Sequence, residues 1–247
     1  MVVPWALNWP EDENAMAFDV ALHIGTLLAI LIYFFFDWAM IIASYIGDLR
    51  MGNWKGGKKG GLLPKIALAT IPAAIIGKLF EKPIEAFFYD SRENIWMLAI
   101  TMSLFGLALM LAERYGKQRR DITDLTYPDA LMIGCFQAMA LIPGTSRSGI
   151  TILGGLALGL TRPGAARFSF LVAMPITLGA VILKSRDLRG TEDWNPLIIG
   201  ILVSAAVGML AIKGLLKYVQ HRSYDVFAFY RFGFAAALLA LFYSRLQ

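Results

Sequence analysis

The sequence predicts an all-α polytopic membrane protein, and three observations support this fold class. Apolar residues make up 57% of the chain and charged residues 17%, with a mean hydropathy of +0.60. A soluble domain of this length would carry about 25% charged residues. Apolar runs close to or longer than about 18 residues recur along the chain, and the basic residues gather between them. Residues 1–247 are therefore expected to form a single integral-membrane domain.

About six full transmembrane helices are predicted, because each of six apolar runs can cross about 30 Å of hydrocarbon as a helix. The runs are Phe18–Phe36, Leu62–Phe80, Ile95–Ala112, Phe168–Lys184, Pro196–Lys213 and Asp225–Tyr243. The net charge of +5 does not indicate a nucleic-acid partner, because its basic residues lie in the loops between these runs.

Lysine and arginine in the connecting segments predict the orientation. Residues 1–17 contain neither, whereas the loops 37–61, 113–129 and 213–224 are rich in both. By the rule that basic loops stay in the cytoplasm, residues 1–17 are expected outside and these three loops inside. Arg162 and Arg167 place the short segment 161–167 inside as well.

The segment between two inside loops, residues 130–160, must enter and leave the membrane on one side. Two full spans would need about 40 apolar residues, so we expect a re-entrant hairpin of two half-length helices that turns at Pro143-Gly144. Irregular backbone at membrane depth persists only where protein buries it or where it lines a wet cavity. Arg147, which follows this turn, is therefore a functional-site hypothesis.

The spans also suggest an inverted-topology repeat, with residues 1–113 as the first repeat and 130–247 as the second. The second half has a hairpin before its first full span, but only 17 residues precede Phe18 in the first half. A second, N-terminal hairpin is thus expected and not found. The alternatives are an asymmetric repeat, or no repeat.

Several segments resemble one protein family. The chain contains Gly134-Cys135-Phe136-Gln137 and then a run from Ala140 to Gly149 that ends in Pro-Gly-Thr-Ser-Arg-Ser-Gly. Both segments resemble the second signature of bacterial undecaprenyl-diphosphate phosphatase, the bacitracin-resistance phosphatase family. Phe18–Thr26 and Ala228–Phe232 resemble that family's first and last full spans. Its first signature, a glutamate-bearing segment and a serine-rich stretch that ends in histidine, is not found. We expect that signature upstream of Val3-Pro4-Trp5, which would mean a late start codon or a shortened chain.

The resemblance implies hydrolysis of undecaprenyl diphosphate to undecaprenyl phosphate and phosphate, which recycles the lipid carrier for peptidoglycan synthesis and gives bacitracin resistance. It also implies a bacterial cytoplasmic (inner) membrane location, a polyisoprenyl diphosphate lipid as partner, and a divalent cation, Mg²⁺ or Ca²⁺. The ligands of that cation would belong to the segment that is not found, so no metal ligand is assigned. A homodimer is left open. Two other functions are also left open: a flippase or transporter of a polyisoprenyl phosphate, and an inactive fragment of the phosphatase.

The residue types around Pro143 suit a phosphate group. Arg147 offers a planar fork of donors that matches phosphate oxygens, and a half-helix that opens at Ser148 would offer its N-terminal amides. The candidate catalytic residues are Arg147, Ser146 and Ser148, and the candidate substrate-binding residues are Gly144, Thr145, Gly149, Thr151 and Gln137.

Each of these assignments has a structural alternative. The hydroxyl groups could serve only to cap the half-helix, Arg147 could pair with a backbone carbonyl, and Gln137 could only pack the hairpin. Arg231, near the cytoplasmic end of the last run, is expected to extend to the membrane surface rather than to act in catalysis.

Overall fold

The computed structural model describes residues 15–89, 95–188 and 194–244, and α-helices dominate all three ranges. The all-α prediction is confirmed. In chain order the helices are α1 (Ala15–Tyr33), α2 (Phe35–Arg50), α3 (Leu62–Tyr89), α4 (Ile95–Tyr115), α5 (Tyr127–Ala138), α6 (Arg147–Ala157), α7 (Arg162–Lys184), α8 (Asn195–Tyr218) and α9 (Asp225–Ser244).

Six of these helices are long and apolar enough to cross a membrane, as the sequence predicts. The qualifying segments are Met16–Tyr33, Leu62–Phe80, Trp96–Tyr115, Arg162–Lys184, Asn195–Tyr218 and Asp225–Ser244. Several boundaries differ from the predicted ones, and two differ most. Helix α7 begins at Arg162 rather than Phe168, and α3 continues beyond Phe80 to Tyr89.

The prediction that residues 37–61 form a loop is wrong for the first part of this segment, because Phe35–Arg50 is the helix α2. With 16 residues this helix is shorter than a span needs, and it contains the charged residues Asp37, Asp48 and Arg50. The two acidic groups are accommodated by pairing instead: Asp37 Oδ1 lies 3.2 Å from Arg167 Nη2, and Asp48 Oδ2 accepts a 2.7 Å hydrogen bond from the Gly57 amide.

The hairpin of residues 130–160 consists of α5 and α6, which have 12 and 11 residues. At 1.5 Å per residue each is shorter than about 20 Å, too short to cross about 30 Å of hydrocarbon. The two ends of the hairpin meet. The Thr161 amide donates to the Arg120 carbonyl at 2.9 Å, and the Arg119 and Arg120 amides donate to the Gly159 carbonyl at 3.0 Å. The chain therefore enters and leaves on one side.

Two compact units make up the chain. The first contains Met1–Phe35 and Thr177–Gly214, and the second contains Phe36–Ile176 and Leu215–Gln247. In the first unit, α1 packs on α8 through small residues: a Cβ at Gly25 would lie 2.5 Å from the Ile201 carbonyl oxygen, and Ser204 Oγ donates to the Leu22 carbonyl at 2.8 Å. Such close contacts are typical of membrane helices. The assignments of one domain and of two repeats stay predictions.

In the second unit the hairpin lies among α3, α4 and α9. Helix α3 packs on α5, α5 on α6, and α4 on both α6 and α9. Glycines permit two of these contacts: a Cβ at Gly134 would lie 2.6 Å from the Ala69 carbonyl oxygen, and one at Gly154 would lie 2.8 Å from the Phe136 ring. Every candidate site residue belongs to this unit.

Candidate functional site

The turn of the hairpin is closed by its own hydrogen bonds. The Thr145 amide and hydroxyl both donate to the Ile142 carbonyl, at 3.2 and 2.6 Å. Gly144 has a φ of +86°, a conformation that L-residues with a side chain rarely adopt. A Cβ at this position would also lie 2.5 Å from Thr101 Oγ1. Both the backbone conformation and the close approach therefore require glycine at 144.

Helix α6 begins at Arg147, one residue earlier than the sequence analysis expects. Ser146 is its N-cap, and the Ser146 hydroxyl accepts a hydrogen bond from the Gly149 amide at 3.3 Å. The Ser148 and Ser146 hydroxyl oxygens are 3.4 Å apart. Arg147 and the hydroxyls of Ser146 and Ser148 are thus gathered at the positive end of a helix dipole. The first turn of a helix also leaves amide hydrogens without intrahelical partners, and this arrangement suits an anion.

Ser146 has an unusual backbone conformation, with φ 63° and ψ 115°. A non-glycine residue at positive φ is uncommon, and such strain typically costs about 1–3 kcal/mol. Strain of this kind clusters at functional sites. Ser146 is also exposed although it lies in the turn of the hairpin, so its hydroxyl can meet a ligand.

Side chains from α4 and α9 hold three consecutive carbonyls of the turn. Thr101 Oγ1 donates to the Pro143 carbonyl at 2.7 Å. Arg231 Nη1 donates to the Gly144 carbonyl at 3.3 Å, and Nη2 donates to the Thr145 carbonyl at 3.1 Å. The expectation that Arg231 extends to the membrane surface is therefore wrong. Its guanidinium is used inside the protein, where carbonyl acceptors offset the cost of the buried charge.

These bonds fix the direction of the amide at Ser146. The carbonyl and the N–H of one trans peptide unit point in opposite directions. Because the Thr145 carbonyl points at Arg231, the amide of Ser146 points away from Arg231. A carbonyl turned toward an approaching phosphate would repel it, so the contact with Arg231 also removes an unfavourable dipole from the other side of the loop.

Thr151 and Gln137 are both buried; the Thr151 hydroxyl and the Gln137 side-chain NH2 group bind other protein groups, whereas Gln137 Oε1 has no hydrogen-bond partner among the described residues. Thr151 Oγ1 bonds the Arg147 carbonyl at 3.0 Å and lies 2.6 Å from Ser169 Oγ of α7. The Gln137 amide donates to the Ala69 carbonyl at 3.3 Å. Thr151 therefore supports the first turn of α6 from behind, and Gln137 joins α5 to α3. Their direct contact with substrate stays a prediction.

The entrance of the hairpin is held by charged groups. Arg120 Nη2 lies 2.5 Å from Asp129 Oδ2, and Arg120 Nη1 donates to the Leu158 carbonyl at 3.0 Å. Burial opposes ionisation of Asp129, but hydrogen bonds from Arg120 and Thr126 outweigh it and lower the pKa of this carboxyl. Nearby, Arg162 and the buried Glu113 form an ion pair. The two half-helices are thus fixed to each other at the open end of the hairpin.

No group of three or more His, Cys, Asp or Glu side chains that could hold a metal ion occurs within residues 15–89, 95–188 and 194–244. The side chains of these ranges therefore do not form a site that fits the divalent cation implied by the resemblance.

Known proteins match this chain over most of its length. A family model described as bacitracin resistance protein BacA matches residues 1–237. The chain belongs to this BacA family. A protein of Trichlorobacter lovleyi is 44% identical, over 98% of this chain and 88% of its own length. One of Moorella thermoacetica is 42% identical, over 99% of this chain and 89% of its own. A third protein, from Geobacter sulfurreducens, is 44% identical, over 99% of this chain and 90% of its own length. All three BacA relatives are named undecaprenyl-diphosphatase.

The structure adds residues that the sequence analysis of this BacA protein missed. Thr101 and Ser169 gave no signal, because a hydroxyl group in an apolar helix is common and its acceptor cannot be read from spacing. Arg231 did give one: an arginine within a long apolar run is costly unless it has partners. Its partners are main-chain carbonyls, which no residue pattern reveals.

Proposed function

We propose that the loop of residues 143–149 binds the terminal phosphate of undecaprenyl diphosphate during its hydrolysis. The protein is a multi-pass membrane hydrolase that converts undecaprenyl diphosphate to undecaprenyl phosphate and phosphate. This reaction recycles the lipid carrier for cell-wall synthesis. The observation that supports the loop as its site is the arrangement of Arg147, Ser146 and Ser148 at the start of α6, with the turn carbonyls held away by Arg231.

The role of each group follows from the charge that the reaction moves. Water attacks the terminal phosphorus, the bond to the bridging oxygen breaks, and undecaprenyl phosphate leaves. Negative charge is spread over the oxygens of the transferred group. Arg147 would hold two of these oxygens through its fork, and Ser146 and Ser148 would donate hydroxyl hydrogen bonds. Donors placed before reaction contribute most when they face the developing charge.

The location and the cofactor are further parts of the proposal. The bacterial cytoplasmic membrane, where the lipid carrier is used, is the location we propose. Mg²⁺ or Ca²⁺ is proposed as cofactor on the family resemblance alone, without ligands among the described residues. A homodimer stays a prediction.

A vesicle experiment separates hydrolysis from transport. The purified full chain is reconstituted in liposomes that contain undecaprenyl diphosphate, and phosphate release is measured beside the transbilayer movement of a fluorescent polyprenyl phosphate. We expect phosphate release that is lost in Arg147→Met and kept in the exposed control Arg114→Met. Movement of the fluorescent lipid without phosphate release would favour a flippase and contradict the proposal.

A further inference from the structure

Helix α2 exposes its apolar face and turns its polar face toward the protein. A surface helix of a water-soluble protein has the opposite arrangement. The large apolar side chains Phe35, Phe36, Met40, Ile42, Ile46 and Leu49 are exposed. On the opposite face, Ile41 is buried and Asp37 pairs with Arg167. Contiguous apolar surface of this kind marks an interaction site, and α2 follows directly on the spanning helix α1, after Phe34.

The segment that follows, residues 51–61, is folded back on α2 and the hairpin entrance; we call it the basic cap. The Trp54 carbonyl accepts a 3.0 Å hydrogen bond from Tyr45 of α2, and the Lys55 carbonyl accepts one of 2.9 Å from Tyr127 at the start of α5. Asp48 binds the amide of Gly57 at 2.7 Å. These three hydrogen bonds hold the cap against α2 and against the start of α5, at the open end of the hairpin.

The cap presents only positive charge outward. Arg50, just before it, and Lys55, Lys58 and Lys59 within it are exposed, while the neighbouring carboxylate of Asp48 is turned inward onto Gly57. Trp54 is 66% exposed, and Lys55 Nζ lies 5.2 Å from the centre of its ring. An exposed tryptophan beside basic residues is typical of the membrane–water interface.

We propose that α2 and the basic cap form a binding surface for acidic phospholipids of the leaflet that the hairpin opens toward. The acyl chains lie along the outward apolar face of α2. The phosphate groups bind Arg50, Lys55, Lys58 and Lys59. An acidic lipid offers both chemistries in one molecule, because its headgroup and chains are joined. A zwitterionic lipid satisfies the apolar face but brings no net charge to the cap.

Trp54 reports on this surface directly. The full chain in detergent micelles is titrated with dibrominated phosphatidylglycerol or dibrominated phosphatidylcholine, whose bromines quench tryptophan. The emission of Trp54 is the difference between the parent and Trp54→Phe. We expect phosphatidylglycerol to quench this emission at a much lower mole fraction than phosphatidylcholine, by roughly tenfold or more, since the basic residues attract an anionic headgroup and a zwitterionic headgroup carries no net charge.

A matched pair of variants tests the role of charge. Lys55→Gln/Lys58→Gln/Lys59→Gln, which leaves Arg50 in place, should remove most of the preference for phosphatidylglycerol. Lys213→Gln/Lys217→Gln/Arg222→Gln removes the same charge from another exposed basic segment and should keep the preference. Phosphate release from micellar substrate should be unchanged in both. Equal quenching by the two lipids in the parent, or equal loss in the two triple variants, would overturn the proposal.

A second copy of the chain is the competing occupant of the α2 face. Ile42→Ser/Ile46→Ser should weaken quenching by both lipids and leave the mass of the protein in detergent unchanged by light scattering. A dimer that this variant converts to a monomer, with no quenching of Trp54 by either lipid in the parent, would assign the surface to self-association and refute lipid binding.

Discussion

Arg231 Nη2 lies 3.1 Å from the carbonyl oxygen of Thr145, and this contact joins the last helix to the turn of the re-entrant hairpin. The same guanidinium also binds the Gly144 carbonyl. An arginine on α9 therefore sets the direction of two peptide units within the predicted phosphate-binding loop.

Changing Arg231→Lys should lower kcat/KM by about 10- to 100-fold, because an ammonium group cannot reproduce the two-pronged contact and the loop donors would lose their fixed placement. The matched control is Arg222→Lys, at an exposed arginine. When phosphate release by Arg231→Lys is measured against substrate concentration, the factor by which kcat falls should be larger than the factor by which KM rises. Equal activity of Arg231→Lys and the control would refute this positioning role.

Changing Ser146→Gly should stabilise the folded protein and lower its phosphatase activity. Glycine adopts positive φ at little cost, so relief of strain of about 1–3 kcal/mol outweighs the few tenths lost when glycine replaces a serine cap. The hydroxyl that we propose to bind the phosphate would be lost, and phosphate release should fall about tenfold or more. Thermal unfolding in detergent and phosphate release measure the two effects.

Ser148→Gly is the control for this experiment, because Ser148 is helical and glycine there should destabilise by about 0.5–1 kcal/mol. A lower melting temperature for Ser146→Gly than for Ser148→Gly would show that the conformation of Ser146 carries no strain.

The clamp at the hairpin entrance should depend on pH. Asp129 has a pKa below its ordinary value of 3.8, so its contribution to stability is present above about pH 4 and is lost as the pH falls through the lower folded-state value. Asp129→Asn should destabilise the protein by about 1–2 kcal/mol at pH 7. The difference in melting temperature between parent and variant should shrink below pH 4; a constant difference would contradict this assignment.

The orientation predicted by the basic loops can be tested by labelling. In a Cys135→Ser background, Lys55→Cys and Lys117→Cys should not react with a membrane-impermeant maleimide added outside intact cells, and Glu11→Cys should react. The result follows from retention of basic loops in the cytoplasm. Labelling of position 55 or 117 from outside would reverse the topology.

The sequence predicted the parts of the fold that depend on hydropathy. The six spans were found because the length of an apolar run reflects the thickness of the bilayer, and the same-sided hairpin because loop charge also indicates the side of the membrane. Helix α2 was missed because its polar groups are satisfied by partners distant in sequence, such as Arg167 for Asp37, which averaging over a window cannot detect. The sequence shows which polar groups are present, but it does not show which of them pair in the folded protein.

For the site, too, the sequence predicted some residues and missed others. The donors within 143–149 were predicted because they are contiguous and because their types suit phosphate. Their support by Thr101, Arg231 and Ser169 depends on how α4, α9 and α7 pack around the hairpin. Gln137 illustrates the limit: it lies close to the turn in sequence, yet its amide binds Ala69 of α3.

The most direct test of the phosphate site is the activity of Arg147→Lys, which keeps the charge and removes the planar fork. Phosphate release from undecaprenyl diphosphate by the purified full chain is compared with that of the parent and of Arg114→Lys, an exposed arginine at the end of α4, and binding of the substrate is measured in parallel. The account predicts a fall in kcat/KM of about 100-fold or more and weaker substrate binding for Arg147→Lys alone, with an unchanged melting temperature. Activity and binding within about twofold of the parent would contradict it.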